Sequence, residues 1–236
     1  MRSRTVATSD VDGTEKVAVV IDVMRAFTTA AWVFHRGADR IVLAADGDRA
    51  LALKASNPGW LALKDGTPAR GFDLTNSPEL VRRADLAGRT VVQTTTAGTV
   101  GALAVTEAEW ALCGSFVVAG ATARLLASTG ADAVTFVATG EGGRAAEDRA
   151  CADYLAELLG GGHVDPAPYV RRARDSTAAQ ELRDGRRHGS RSADVGLCLE
   201  VDRFDFAMRV TLKAGMAVLR PVAARPGAGL AGHRAR

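Results

Sequence analysis

Residues 17–23 read VAVVIDV, a run of β-branched and small apolar side chains whose only charge is Asp22. A strand of this composition has no polar face to offer water. It is therefore buried on both sides, the condition of a strand inside a parallel sheet covered by helices. The same kind of segment recurs, and strands are expected at 40–45, 60–64, 90–95 (TVVQTT), 110–114 and 133–138 (AVTFVA). Between them, helical patterns fall at 28–37, 48–56, 77–84, 99–107 and 118–128. In the third of these helices Ser77 supplies the N-cap and Pro78 the first helical position. A longer helix at 145–159 follows the last strand and stops at Gly160, Gly161 and Gly162. Strands alternating with helices in this way describe an α/β domain with a mostly parallel sheet.

The flanks are of a different kind. Residues 1–16 are polar, with Asp10, Asp12 and Glu15, and read as a flexible leader rather than a signal peptide. A single domain is expected over 17–222, with a last strand at 218–222 and a flexible tail at 223–236. Within the C-terminal third, residues 165–191 carry seven arginines against Asp175, Glu181 and Asp184. That pattern suits extra, solvated helices, or else a rim that attracts anions. Ser192 is placed to cap a further helix through about residue 201.

The chain has 236 residues, 47% hydrophobic and 24% charged, an ordinary globular composition. Its formal charge of +3 is too small to argue for nucleic acid, and the arginine-rich segment has no interleaved aromatics beyond Tyr169. No apolar run approaches the ~18 residues of a membrane span. Cys113, Cys151 and Cys198 are odd in number, far apart and free of metal-finger spacing, which suits reduced thiols in a cytoplasm.

In an open parallel sheet, ligands gather where the carboxyl ends of strands meet helix N-termini. Four loops there carry chemistry. The first follows the opening strand with Asp22, Arg25, Thr28 and Thr29: a carboxylate able to hold a hard cation and donors suited to phosphate or sulfonate oxygens. An aspartate there equally well caps a helix or pairs with an arginine. The second, GFDLTNSPE at 71–79, sets Asn76 and Ser77 between two carboxylates, or is simply a loop with a capped helix behind it. The third, TTTAGT, combines Thr94, Thr95, Thr96 and Thr99 with Gly98, whose backbone can approach a ligand closely. Such a segment makes an anion cradle without lysine, or a threonine-rich strand end. The fourth, Gly140 to Gly143, precedes Glu147, Asp148 and Cys151, with Glu147 and Cys151 on one helical face. Carboxylates in a first turn also complement the helix dipole, and cysteine is most often a small buried apolar residue. His188 lies among arginines in RRHGSR, while Asp194, Cys198 and Asp202 share one helical stripe with a mixed core and rim role.

Taken in order, DVMRAFTT (22–29), GFDLTNSP (71–78), TTTAGT (94–99), GSF (114–116), the Glu147-Asp148-Cys151 helix, HG (188–189) and the Asp194 stripe resemble the 2-phosphosulfolactate phosphatase family of coenzyme M biosynthesis. The likeness extends over about residues 17–210. It implies a three-layer α/β/α fold and a Mg²⁺-dependent phosphatase that releases phosphate from 2-phosphosulfolactate to leave sulfolactate. The family motifs fall on Asp22, Arg25, Thr28 and Thr29; on Gly71, Phe72, Asn76, Ser77 and Pro78; on Thr94, Thr95, Thr96, Gly98 and Thr99; and on Glu147, Asp148 and Cys151. Two departures stand out: Ala97 where the pattern has Asn, and Leu63 and Lys64 where it has Glu and Arg.

On this resemblance Asp22, Glu147 and Asp148 would hold Mg²⁺, while Arg25 and the 94–99 segment clamp phosphoryl oxygens. Thr28, Thr29, Asn76, Ser77 and His188 would complete the substrate contacts. The nucleophile would be a metal-activated water or an aspartate, with Cys151 either a nucleophile or a wall of the pocket. The alternative is a diverged, non-catalytic protein that binds small anions on the same fold. The expected partner is a small phosphorylated anion, with neither nucleic acid nor membrane involved and homo-oligomerisation left open. Asp22, Arg25, Thr94 to Thr99, Glu147 and Asp148 are expected to meet in one crevice. Arg25 is expected to be partly exposed there as a clamp, rather than buried as a partner of Asp22.

Overall fold

A strand with no polar face needs neighbours on both edges and cover on both sides, and Val17–Ile21 has all of these. In the computed structural model, which describes residues 1–223, every residue of this segment is buried. The chain begins with strand β1 (Arg2–Ala7), followed by β2 (Val17–Ile21), helix α1 (Ala26–His35), β3 (Arg40–Leu43), α2 (Gly47–Ala55) and β4 (Leu61–Lys64). Next come β5 (Leu74–Thr75), α3 (Pro78–Val81), β6 (Thr90–Thr94), α4 (Gly98–Ala104), β7 (Trp110–Gly114), α5 (Ala119–Ser128) and β8 (Ala133–Ala138). The C-terminal part contributes α6 (Ala146–Gly160), α7 (Ala167–Arg174), α8 (Thr177–Arg183), α9 (Asp194–Cys198), β9 (Phe206–Lys213) and β10 (Met216–Ala223).

All ten strands form one sheet in the order β1-β8-β2-β7-β9-β10-β3-β6-β4-β5. Pairing is parallel within β1-β8-β2-β7 and within β3-β6-β4-β5, and antiparallel from β7 through β9 and β10 to β3. Three antiparallel pairings make the two parallel blocks run in opposite directions. Even so, residues at the carboxyl ends of β2 and β8 line the same cleft as those at the ends of β4, β5 and β6.

Helices cover both faces, giving three layers. On one face Ala18, Val20, Ile41, Leu43, Val91, Met208 and Leu219 pack with Phe27 and Ala30 of α1 and Ala102 of α4. On the other face Val19, Ile21, Leu112 and Phe136 pack with Leu126 of α5 and Ala150 and Leu155 of α6. Further along that face, Val42, Val92 and Val218 meet Ala50 and Leu53 of α2. Helix α1 is buried from Ala26 through Phe34. A helix apolar on all sides belongs inside a protein, and its position fixes the Asp22–Arg25 loop that leads into it.

The structure corrects three expectations. The leader is not featureless: β1 adds a parallel edge strand to β8, with Arg4 bonded to Glu15 at 3.2 Å and to Thr135 at 3.1 Å. The C-terminal strand is one arm of a hairpin, β9-β10, in the middle of the sheet. Ser192 does not cap the following helix, whose N-cap is Ala193. The tail expected from residue 223 onward lies, beyond Ala223 itself, outside the described residues.

Candidate active site

The carboxyl ends of both strand blocks enclose a cleft of about 460 Å³. Asp22 stands where β2 ends, and its Oδ1 accepts the Ala26 N–H at 2.9 Å, so the carboxylate also caps α1. Among the described residues its Oδ2 meets only the Thr139 hydroxyl, at 3.5 Å. Gly98 explains how a second helix comes this close. A Cβ there would lie 2.6 Å from that of Ala26 and 2.7 Å from Asp22 Oδ2, so any side chain would push α4 off the carboxylate.

The first turn of α6 brings Glu147 and Asp148 against Asp22, and both are buried. Asp148 accepts N–H groups with both oxygens, from Val23 at 2.8 Å and from Gly140 at 2.9 Å. It therefore ties the β2 loop to the β8 loop through both of its oxygens. Glu147 keeps Oε2 buried with no partner among the described residues. Burial raises the proton affinity of Asp22 and of Glu147. Asp148 is pushed well above the usual carboxylate range, by burial first and then by the charges of Asp22 and Glu147.

Cys151 is a correction. It is fully buried in the apolar cluster behind α6, away from the cleft lining. Burial first, and the Asp148 charge second, push its thiol well above the ordinary value. Without exposure or thiolate character, it has neither of the properties of a nucleophile.

Arg25 is the second correction. It lines the cleft, yet only 5% of it is exposed, and its ion partner is Asp194 rather than Asp22. Nη1 donates to Asp194 Oδ2 at 3.1 Å and to the Gly189 carbonyl at 3.4 Å. Asp194, itself 0% exposed, also accepts from Arg191 N at 2.9 Å, Ser77 Oγ at 2.7 Å and Glu79 N at 3.0 Å. Ser77, expected to touch substrate, is instead buried as the α3 cap and Asp194 donor. Its neighbour Asn76 does line the cleft, with Oδ1 buried and without a partner among the described residues.

The threonine segment divides. Thr95, Thr96 and Ala97 line the cleft, whereas Thr94 and Thr99 do not. Thr95 and Thr99 bond each other reciprocally: Thr95 N donates to Thr99 Oγ1 at 3.0 Å and Thr99 N to Thr95 Oγ1 at 2.9 Å. Thr96 gives both its N–H and its hydroxyl to Asp65 Oδ2, at 2.8 and 2.7 Å. Much of the expected anion cradle is thus spent internally. Thr28 and Thr29, also expected to contact substrate, are fully buried on α1, with the Thr28 hydroxyl donating to the Val23 carbonyl.

Two charged cleft residues escaped sequence reasoning, Asp65 and Arg187. Strand β4 ends in Leu63 and Lys64, where the resemblance implies Glu and Arg; here Leu63 is core while Lys64 bonds the Thr67 carbonyl. The next residue, Asp65, supplies a carboxylate to the cleft. An aspartate–glycine pair straight after an apolar strand was the available signal. Arg187 precedes His188, and both line the cleft. Their loop is pressed onto the Asp65 loop at Gly189, whose φ is +70° and where a Cβ would sit 2.0 Å from the Gly66 carbonyl oxygen. Gly189→Ala is therefore expected to cost at least ~2 kcal/mol, about 4–8 °C in Tm, and to lower activity by displacing both loops. Unchanged thermal melting and turnover would contradict that coupling.

The cleft lining holds five carboxylates, Asp22, Asp65, Glu141, Glu147 and Asp148, and two guanidiniums, Arg25 and Arg187. Each guanidinium is already paired, with Asp194 and Glu181. Among the described residues, no three His, Cys, Asp or Glu side chains gather as a ready-made metal cluster. Among the described residues, the buried cleft oxygens still open to a ligand include Asp22 Oδ2, Glu147 Oε2 and Asn76 Oδ1. That set fits a hard cation that takes one or two carboxylates and fills its other positions with water and substrate oxygens.

Comparison with known proteins follows the same line. The family described as 2-phosphosulpholactate phosphatase matches residues 4–212. A Bacillus subtilis (strain 168) protein named probable 2-phosphosulfolactate phosphatase is 32% identical over 199 residues, covering 82% of this chain and 86% of its own. Proteins of the same name are 35% identical in Deinococcus radiodurans, covering 79% of this chain and 81% of theirs, and 38% identical in Thermus thermophilus, covering 64% and 65%.

Proposed function

We propose, for a chain that belongs to the 2-phosphosulfolactate phosphatase family, that it hydrolyses the phosphate monoester of 2-phosphosulfolactate, with water as co-substrate and sulfolactate and phosphate as products. The observation that carries this reading is the meeting, in one cleft, of unspent carboxylate oxygens on Asp22 and Glu147 with the guanidiniums of Arg25 and Arg187.

Charge balance supports a Mg²⁺ ion in that reaction. A substrate bearing phosphate, carboxylate and sulfonate would enter a cleft of five carboxylates whose two guanidiniums are already neutralised. Coulomb repulsion would keep it out unless a cation were bound as well. Asp22 and Glu147 would hold Mg²⁺, and when bound it would neutralise charge on the transferring phosphoryl group. Asp22 is pre-aimed by the Ala26 N–H, and Asp148 locks the two loops that carry Asp22 and Gly140. Arg25, fixed by Asp194, contributes charge from the cleft wall without having to be ordered on binding. The three cysteines are unpaired and buried, and among the described residues no helix is long and apolar enough to cross a membrane. The unpaired thiols support a cytoplasmic site of action.

The test is phosphate release from 2-phosphosulfolactate and a panel of small phosphorylated hydroxy acids, with Mg²⁺ or with a chelator. Turnover is expected with Mg²⁺, falling by on the order of a hundredfold or more under chelation and returning when the ion is restored. A rate indifferent to chelation would remove the metal. Binding of these acids without any release would favour the non-catalytic anion-binding protein.

A further inference from the structure

We propose that Arg187 is the residue that grips the substrate's phosphoryl oxygens, and that Glu181 is the positioning residue that aims it. The inference rests on the phosphatase reading above and deepens it by assigning the anion contact to a side chain of the C-terminal segment.

The two cleft guanidiniums differ in how they are held. Arg25 is sealed against Asp194, with side-chain exposures of 5% and 0%. Arg187 pairs with Glu181 in the open, at 34% and 31%. Its Nε donates to Glu181 Oε2 at 2.8 Å and its Nη1 to the Met24 carbonyl at 3.2 Å. These two anchors lie in different parts of the chain: Glu181 is on α8, and Met24 sits between Asp22 and Arg25. Together they fix the plane of the guanidinium over the carboxylate loop. Nη2 remains without a partner among the described residues, and the side chain lines the cleft.

The position is right for phosphate. Arg187 lines the same cleft as Asp22 and Glu147, and its bond to the Met24 carbonyl holds it beside the loop that carries Asp22. A planar fork with free N–H groups is suited to phosphoryl oxygens. Anchoring before the substrate arrives reduces the conformational entropy lost on binding. Asp65 and Glu141 line the same cleft but repel an anion. Arg187 is therefore the accessible cation there whose geometry is already set.

Calorimetric binding of inorganic phosphate in the presence of Mg²⁺ tests the assignment without requiring turnover. The wild-type protein is expected to bind, and Arg187→Gln to bind at least ~10-fold more weakly, with Tm unchanged within a degree or two because the side chain is partly exposed. Arg187→Lys is expected to recover only part of the affinity, since an ammonium cannot keep both anchors and a free fork. Glu181→Gln, which keeps the volume but loosens the aim, is expected to fall between wild type and Arg187→Gln. With 2-phosphosulfolactate as substrate, the same order should appear in kcat/KM. Equal phosphate binding by wild type and Arg187→Gln, or no binding by the wild type, overturns the assignment. Phosphate binding that depends on Arg187 without any release from 2-phosphosulfolactate keeps the assignment and overturns the substrate reading.

Discussion

Asp194→Ala is expected to destabilise the protein by about 3–5 kcal/mol, lowering Tm by roughly 6–20 °C, although this residue touches no cleft surface. The carboxylate accepts four hydrogen bonds at 3.1 Å or less, from Arg25, Arg191, Ser77 and Glu79. Removing it strands a buried guanidinium and leaves two backbone N–H groups and a hydroxyl without their acceptor, so the cost is that of uncompensated burial rather than of one lost contact. Arg25→Ala should be nearly as damaging, because it leaves the Asp194 charge fully buried. This reverses the sequence-based expectation of a partly exposed clamp. The double variant should be less unstable than the sum of the two single variants, since each removes the other's unpaired charge. Thermal and denaturant melts of the four proteins decide the matter. An Asp194→Ala protein that melts within a degree or two of wild type would show that the pair contributes nothing to the fold.

How much of this was legible in the sequence depended on how completely each segment is buried. Strands such as Val17–Ile21 and Thr90–Thr94 are buried at every position, and burial on both faces writes itself as a continuous apolar run. Strand β9 reads FAMRVTLK, and its half-exposed positions include Arg209 and Thr211, so nothing in its composition sets it apart from a loop. Its turn is equally unmarked. Ala214 and Gly215 both take positive φ, 49° and 72°, a conformation usually advertised by Asn-Gly or Asp-Gly. Strand β1 is an edge strand whose first three residues are exposed, which is why it passed for a leader.

The site divides on the same principle. Carboxylates and threonines at strand ends could be named because strand ends are predictable. Which of their oxygens remain free could not be read, since Asp148 and Thr96 spend theirs on partners 125 and 31 residues away. Asp65 and Arg187 stand in loops of no fixed period, and only the folded chain brings them to the cleft. Asp194 was visible as one member of a helical stripe. Its function as the hub of three loops lies 169 residues from Arg25 and 117 from Ser77, a separation no local pattern encodes.

Asp22→Asn is expected to abolish most activity and leave the fold intact or slightly firmer. Phosphate release at saturating Mg²⁺ should fall on the order of a thousandfold, equivalent to about 4 kcal/mol of transition-state stabilisation, because a carboxamide retains the shape but not the charge that would hold the cation. The fold should tolerate the change, since an Asn side-chain oxygen can still accept the Ala26 N–H and keep the α1 cap. It should also relieve repulsion: the Asp22 charge is among the causes that raise the proton affinity of both Glu147 and Asp148. The pH dependence gives the sign. Carboxyls whose folded pKa lies above the unfolded value bind more protons in the folded state, so their stabilising contribution is present below the ordinary carboxylate range and is lost as pH rises through the folded values. Under chelation, the wild-type Tm should therefore decline more steeply than that of Asp22→Asn as pH rises above the ordinary carboxylate range. A variant that still turned over at the wild-type rate, or whose Tm fell with the wild-type slope, would show that Asp22 is a helix cap and no more.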